Sequence, residues 1–443
     1  MGGLLTILLG ITISAETFVA PPVQPAPSTT TNLTQSYDIR ATLDHAAGRL
    51  DVLETAILTN RAGLPISYLN LSVLPRAFGF FQPAGPLTVD GQPVATRWTT
   101  GTNLRVGLGR RVAPGETITL QFPFRLSVGS AGGAFTARLS RDAGVISFGQ
   151  WLPMISPELD SYGVGDPRIT RSAQRIRMEL RTTRPLPRDA VACAGLRHAP
   201  ATSGTRWTCE VANARDFAFV VNPRFRVTRR TVDGIALRVY TETVAGQRTA
   251  DLAASGLTRL RRLYGPYPWP DLVLAEVGAF GGFSMEYPAM IHLTRQKVVD
   301  PYVLYHEVAH QWFYAQLGND QQREPWLDEA FADFSARRMM GTSENQCSDR
   351  PVDSPVFAWP AGRTTGGDWL SCDGYFHAVF YRGTEFLNAI RSAMGDDAFF
   401  AALRQHIDAN RFGMTTTRRL LAHLQASTDA DLAPIFARYL RAY

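Results

Sequence analysis

From about Ser36 to Arg230, apolar and polar residues alternate in short runs broken by Gly, Pro and Asn. Ile66–Val73 (ISYLNLSV), Glu116–Phe122 (ETITLQF), Gln174–Leu180 (QRIRMEL) and Phe217–Val221 (FAFVV) are representative. A period of two, with turn residues about every ten positions, predicts an antiparallel β domain, a sandwich or saddle. The texture changes after Arg230. Gly234–Glu242 reads as a strand, and Thr249–Leu263 places Leu252, Leu257, Leu260 and Leu263 on one broad helical face. Tyr264-Gly-Pro-Tyr-Pro stops that helix, Leu272–Val277 reads as another strand, and helices dominate from Tyr302 to Tyr443. The pattern predicts an α+β multidomain chain with an N-terminal antiparallel β domain over 36–230 and a mainly helical second domain over 231–443. No internal repeat is evident.

The chain has 443 residues, 45% of them hydrophobic and 19% charged, which supplies a large core and excludes wholesale disorder. No apolar run reaches the roughly 18 to 20 residues of a spanning helix, so stable membrane insertion is not expected. Net charge is +6, yet Lys297 is the sole lysine and the arginine pairs are scattered among acids, from Arg110-Arg111 to Arg418-Arg419. A nucleic-acid binder clusters its basic residues with aromatics on one element, so no nucleic-acid partner is expected. Residues 1–20 read as a signal peptide, with a short apolar stretch Leu4–Ile13 and small residues Ser14-Ala15, although its start lacks Lys or Arg. Residues 21–35 read as a Pro/Thr-rich linker. Four cysteines favour the pairs Cys193–Cys209 and Cys347–Cys372, with buried free thiols as the alternative. Signal and cysteines together point to a secreted, periplasmic or cell-envelope protein, with a cytoplasmic one as the alternative. A monomer is expected.

The chemistry is concentrated between Gly281 and Phe334. His306-Glu307-Val308-Ala309-His310 is an HExxH. Residues four apart on an α-helix lie only about 40° apart around the axis and roughly 6 Å along it, so both imidazoles can reach one ion. Glu307 sits beside them, placed for a water instead of the metal. The second helical stretch, Trp326–Phe334, carries Glu329, with eighteen residues between it and His310. That gap lets the chain turn and deliver a carboxylate to the same ion. Two His and one Glu leave the fourth position of a tetrahedral zinc open, as a catalytic site requires. Asp333, one turn after Glu329, is a candidate acceptor for the distal N–H of a ligand histidine.

HEVAHQW followed by WLDEAFADF resembles the gluzincin metallopeptidases. Gly281–Ile291 (GGFSMEYPAMI) resembles the exopeptidase segment of the aminopeptidase N and leukotriene hydrolase family. YGPYP at Tyr264 and the tail Phe412-Gly-Met-Thr-Thr with Leu432–Leu440 are also similar to that family. The resemblance covers roughly Thr249 to Leu440 and suggests a compact two-domain bacterial type whose second domain is a thermolysin-like catalytic one. It implies one Zn2+ per chain held by His306, His310 and Glu329, with Glu307 as general base on the water. It also implies that Glu286 binds the free α-amine of a peptide, with Met285 and Gly282 along the substrate. Three positions, in two motifs, depart from the family pattern. Phe283 and Tyr287 replace the Gly and Asn of Gly-x-Met-Glu-Asn, and Phe380 stands where a transition-state-stabilising Tyr precedes Gly383 by three residues. Tyr381 and His377 are the candidates to replace that donor.

The expected function is therefore a zinc aminopeptidase acting on peptides with an unblocked N-terminus. A thermolysin-like endopeptidase and an inactive zinc-binding relative are the alternatives. Phe280, Phe283 and Met285 suggest a bulky apolar first residue.

Overall fold

A computed structural model of the chain describes residues 32–130, 137–156, 171–278, 284–321, 323–342 and 376–440. The expected signal peptide, Gly282, Phe283, Cys347 and Cys372 lie outside the described residues.

Alternation in the N-terminal part becomes long two-faced strands. Leu33–Asp44 buries every second side chain, including Tyr37, Ile39, Ala41 and Leu43, and Arg49–Asn60 does the same in antiparallel register with it. They are central in a nine-stranded sheet that also holds Ala173–Pro187, Ser203–Ala214 and Thr117–Ser127. Two four-stranded sheets complete the β part, built around Val145–Phe148 and Phe219–Val221 in one case and Ile66–Ser72 and Asn103–Val112 in the other. One pairing departs from the antiparallel expectation. Leu33–Asp44 runs parallel to Ala173–Pro187, since a long excursion separates them and no hairpin dictates their direction. The disulfide Cys193–Cys209 crosses sixteen residues in this part, pairing two cysteines that are both fully buried.

The strand Arg226–Val232 spans the boundary expected at residue 230 and opens a five-stranded sheet. The order is Arg226–Val232, Ile235–Thr241, Asp271–Val277, Met290–Thr294, Met285–Tyr287. Its three inner strands are parallel and its edge strands antiparallel. Asp271–Val277 is buried along its whole length, as a central parallel strand must be. The crossover from Ile235–Thr241 to Asp271–Val277 is helix α1 (Gly246–Tyr264). Leu257 and Leu260 of the predicted apolar face are buried, whereas Leu252 and Leu263 are half-buried and pack at its margin.

Among the described residues six further α-helices follow: α2 (Pro301–Ala309), α3 (Trp326–Met340), α4 (Arg382–Met394), α5 (Asp396–Ala409), α6 (Thr417–Ala426) and α7 (Ala433–Tyr439). No described helix is long and apolar enough to cross a membrane. The YGPYP segment binds the helical layer together. Tyr264 Oη shares a hydrogen bond of 2.8 Å with Ser335 Oγ of α3, and the Gly265 carbonyl accepts from Trp312 Nε1 at 3.1 Å. These contacts fix α1 and α3 against the segment that leaves α2.

Candidate metal centre

Helix α2 is short and sharply bounded. Asp300 caps it, its carboxylate accepting from the Tyr302 and Val303 amides at 3.0 and 3.4 Å, and Pro301 occupies the first turn where its missing N–H costs nothing. His306 and Glu307 lie in the last turn, and His310 is the residue on which the helix ends. All three are buried, as is Glu329 in the first turn of α3. Asp328 and Glu329 at that N-terminus also face the positive end of the helix dipole.

The predicted ligands converge. His306 Nε2 lies 3.1 Å from both His310 Nε2 and Glu329 Oε2, and His310 Nε2 lies 3.6 Å from Glu329 Oε2. Ligand atoms on a tetrahedral zinc at about 2.0 to 2.1 Å are separated by about 3.3 Å, so these spacings match three corners of such a site. His310 Nδ1 donates to the Phe313 carbonyl at 3.1 Å, which leaves Nε2 with its lone pair directed at the cluster. Among the described residues this is the one grouping of three or more His, Cys, Asp or Glu side chains able to hold a metal ion. The donor set fits one zinc ion. Burial alone would raise the Glu329 carboxyl, but the neighbouring His306 and His310 rings outweigh it and hold the group well below the usual range.

Glu307 is not drawn into the cluster. Its Oε2 is buried without a hydrogen-bond partner among the described residues. Burial pushes its carboxyl up to about 8, with His310 opposing and Glu329 adding to the rise. A carboxylate with that proton affinity and a vacant acceptor is suited to proton transfer near neutral pH.

Asp333 does not serve a ligand histidine. Its oxygens accept from Tyr302 Oη on α2, from Arg337 Nε at 2.7 Å and from Thr384 Oγ1 on α4 at 2.7 Å. The face predicted from helical spacing is right, but Tyr302, one turn before His306, intervenes and takes the carboxylate. His306 is instead flanked by aromatic rings. Phe380 stacks on its imidazole with centroids 5.6 Å apart and planes within 4°, and Phe376 stacks on Phe380 at 4.2 Å.

The chain from His377 to Tyr381 is not an ideal α-helix. The Arg382 N–H reaches the His377 carbonyl, five residues back, which widens the turn and changes the angles expected between neighbours. The Tyr381 ring packs against Arg337, whose guanidinium carbon lies 4.6 Å from the ring centre. His377 is buried on the same turn. Gly383 lies where α4 meets α3, and a Cβ there would fall 2.3 Å from Ala330 Cβ. The glycine of that pattern is therefore a packing requirement.

Glu286 lies in the edge strand Met285–Tyr287, buried and paired with Ile291, while Met285 is half-buried. The following turn is held by a residue that the sequence reading missed. Gln311, immediately after the HExxH, donates Nε2 to the Tyr287 carbonyl at 3.0 Å and accepts the Ala289 amide at 2.9 Å. Its place beside the motif was the available signal. Tyr287 reaches toward the β part, where a Cβ on Gly149 would lie 1.9 Å from its hydroxyl.

His292, opposite Met285 on the adjacent strand, is buried with neither ring nitrogen hydrogen-bonded among the described residues. Burial lowers its pKa to about 3. The unfolded side chain titrates near 6.5, so the stability it confers is complete above that pH and is lost as pH falls toward 3. Replacing it with Phe removes this loss. Between pH 7 and pH 5 the stability advantage of His292→Phe over the wild type should grow by about 2 kcal/mol in urea titrations. An advantage that stays constant across that range would refute the assignment.

No family model matches the chain. The chain is 26% identical over 248 residues to aminopeptidase N of Lactobacillus helveticus, a match covering 48% of this chain and 29% of that protein. It is 23% identical over 262 residues to aminopeptidase 2 of Candida albicans, covering 50% and 26%. The match thus spans less than a third of the length of these curated relatives. The M1 zinc metallopeptidase of Deinococcus radiodurans superposes with a TM-score of 0.69 at 18% identity, covering 94% of each chain. A mutant of that protein bound to a Tyr-Ser-Ala substrate gives 0.68 at 18% identity, covering 93% of this chain and 97% of that one. The fold is that of the two-domain M1 zinc metallopeptidases. In sequence the chain is similar to aminopeptidase N proteins, and in fold to M1 zinc metallopeptidases.

Proposed function

We propose that the chain is a zinc-dependent aminopeptidase that removes the first residue from peptides with a free α-amine. The observation that carries this reading is the buried convergence of His306, His310 and Glu329 beside an uncommitted Glu307. A zinc ion held by those three residues supplies Lewis acidity toward the scissile carbonyl and lowers the pKa of water to about 7. Glu307 takes the proton of the attacking water and returns it to the leaving amine. Glu286 pairs with the substrate ammonium, and Met285 lines the peptide beside it. Fixing the ammonium at one end sets the distance to the reacting bond, so hydrolysis falls one residue in. His377 is the candidate donor to the oxyanion, since Phe380 has no hydroxyl and Tyr381 faces Arg337. The tripeptide bound to the D. radiodurans neighbour supports peptides as the substrate class.

Export belongs to the same proposal, and the Cys193–Cys209 disulfide supports it, because such bonds persist in oxidising compartments. A monomer is proposed as the working unit.

The test is a panel of aminoacyl fluorogenic amides, free and N-acetylated, with and without a chelator. Free substrates should be cleaved, acetylated ones spared, and activity lost to the chelator. Equal internal cleavage of acetylated peptides would establish the endopeptidase reading instead.

A further inference from the structure

We infer that Gln311 is a positioning residue that sets the distance between the metal helix and the amine anchor, an inference that rests on the reading of Glu286 above. The Met285–Tyr287 strand is an edge member of its sheet and is only three residues long, paired on one side alone with Met290–Thr294. So short an edge strand has little rigidity of its own. Its connection to Met290 is a two-residue turn, Pro288-Ala289, in which Ala289 takes φ 58°, a left-handed conformation that disfavours a residue with a side chain. Something outside the hairpin must hold this turn.

The Gln311 carboxamide does so. It presents an acceptor to the Ala289 amide at 2.9 Å and a donor to the Tyr287 carbonyl at 3.0 Å, as a neighbouring strand would. Gln311 is itself completely buried, and its own carbonyl accepts from Gln316 Nε2 at 3.1 Å. The side chain is thus anchored at its backbone as well as at its carboxamide. One side chain joins the residue directly after ligand His310 to the residue directly after Glu286. With the ligand end and the anchor end tied together, the span available to the first substrate residue is a property of the fold, not of a mobile strand. A buried pair of hydrogen bonds also strengthens in a site of low dielectric.

The experiment compares wild type with Gln311→Met, which keeps the length and volume of the side chain and removes both hydrogen bonds. Zinc content is measured by elemental analysis, kinetics on free and N-acetylated aminoacyl nitroanilides, and amide exchange by mass spectrometry on the segment 285–292. The expected result is full zinc content, KM for free-amine substrates raised about tenfold with a smaller change in kcat, and faster exchange in the segment. Gln311→Glu, which keeps an oxygen for the Ala289 amide, should recover part of the loss. A variant with wild-type KM and wild-type exchange overturns the inference. Faster exchange with unchanged KM overturns it as well, because the strand would then be loosened without consequence for the amine. A wild-type enzyme indifferent to acetylation sinks the aminopeptidase reading itself, before any variant is compared.

Discussion

Glu307→Gln is expected to retain zinc at one ion per chain and to lose turnover by roughly 10³-fold, within the range that a general acid–base group supplies. The substitution is isosteric, and the ligand atoms of His306, His310 and Glu329 make their closest contacts with one another without Glu307. Metal retention therefore separates loss of a base from loss of the site. The Glu307 carboxyl owes its raised proton affinity to burial, and an amide in the same place can neither accept nor return a proton. Zinc content by elemental analysis and kcat on an aminoacyl amide decide the matter. Turnover within tenfold of wild type would remove Glu307 from the mechanism.

Asp333→Ala is expected to cost about 3 to 5 kcal/mol of stability, the penalty for removing one partner of a buried ion pair. Asp333 is fully buried, and its partner Arg337 has only 11% of its side chain exposed. The same carboxylate accepts from Tyr302 on α2 and Thr384 on α4, so its loss strands three donors and loosens three helices at once. Tyr302 lies one turn from His306, so zinc affinity should fall with stability even though Asp333 touches no ligand. Asp333→Asn, which keeps two hydrogen-bonding atoms and the shape, should cost less. Urea midpoints for the two variants test this, and a change below about 0.5 kcal/mol for Asp333→Ala would contradict it.

The grouping of His306, His310 and Glu329 was legible because its signal is local. HExxH needs only the pitch of a helix, and Glu329 needs only a turn and a second helix. The strands of the β part were legible for a similar reason, since alternation reports a half-buried sheet whatever its partners. Their directions were not. Nothing in Leu33–Asp44 reveals that it pairs in parallel with a strand more than a hundred residues away. Asp333 shows the same limit in the site, where helical spacing placed it on the correct face but Tyr302 decides what it binds. The widened turn at His377–Tyr381 and the stacking of Phe380 on His306 arise from packing between distant segments. Gln311 was passed over because a glutamine has no chemistry of its own; its role depends on a turn more than twenty residues earlier.

Arg215 sits at the end of the β part, completely buried, and burial lowers its guanidinium pKa only to about 10, so it enters the interior charged. It donates to the Gly413 carbonyl at 2.9 Å, touches Met414 Sδ at 3.3 Å, and lies against Gly318, where a Cβ would meet it at 2.1 Å. Those partners belong to the segment that follows α2 and to the connection between α5 and α6. The C-terminal half consequently borrows a piece of its interior from the other half. Cut free near residue 230, it would be left with a hollow lined by carbonyl oxygens that had lost their cation, so the two halves are better regarded as one inseparable folding unit than as a blade and a detachable handle.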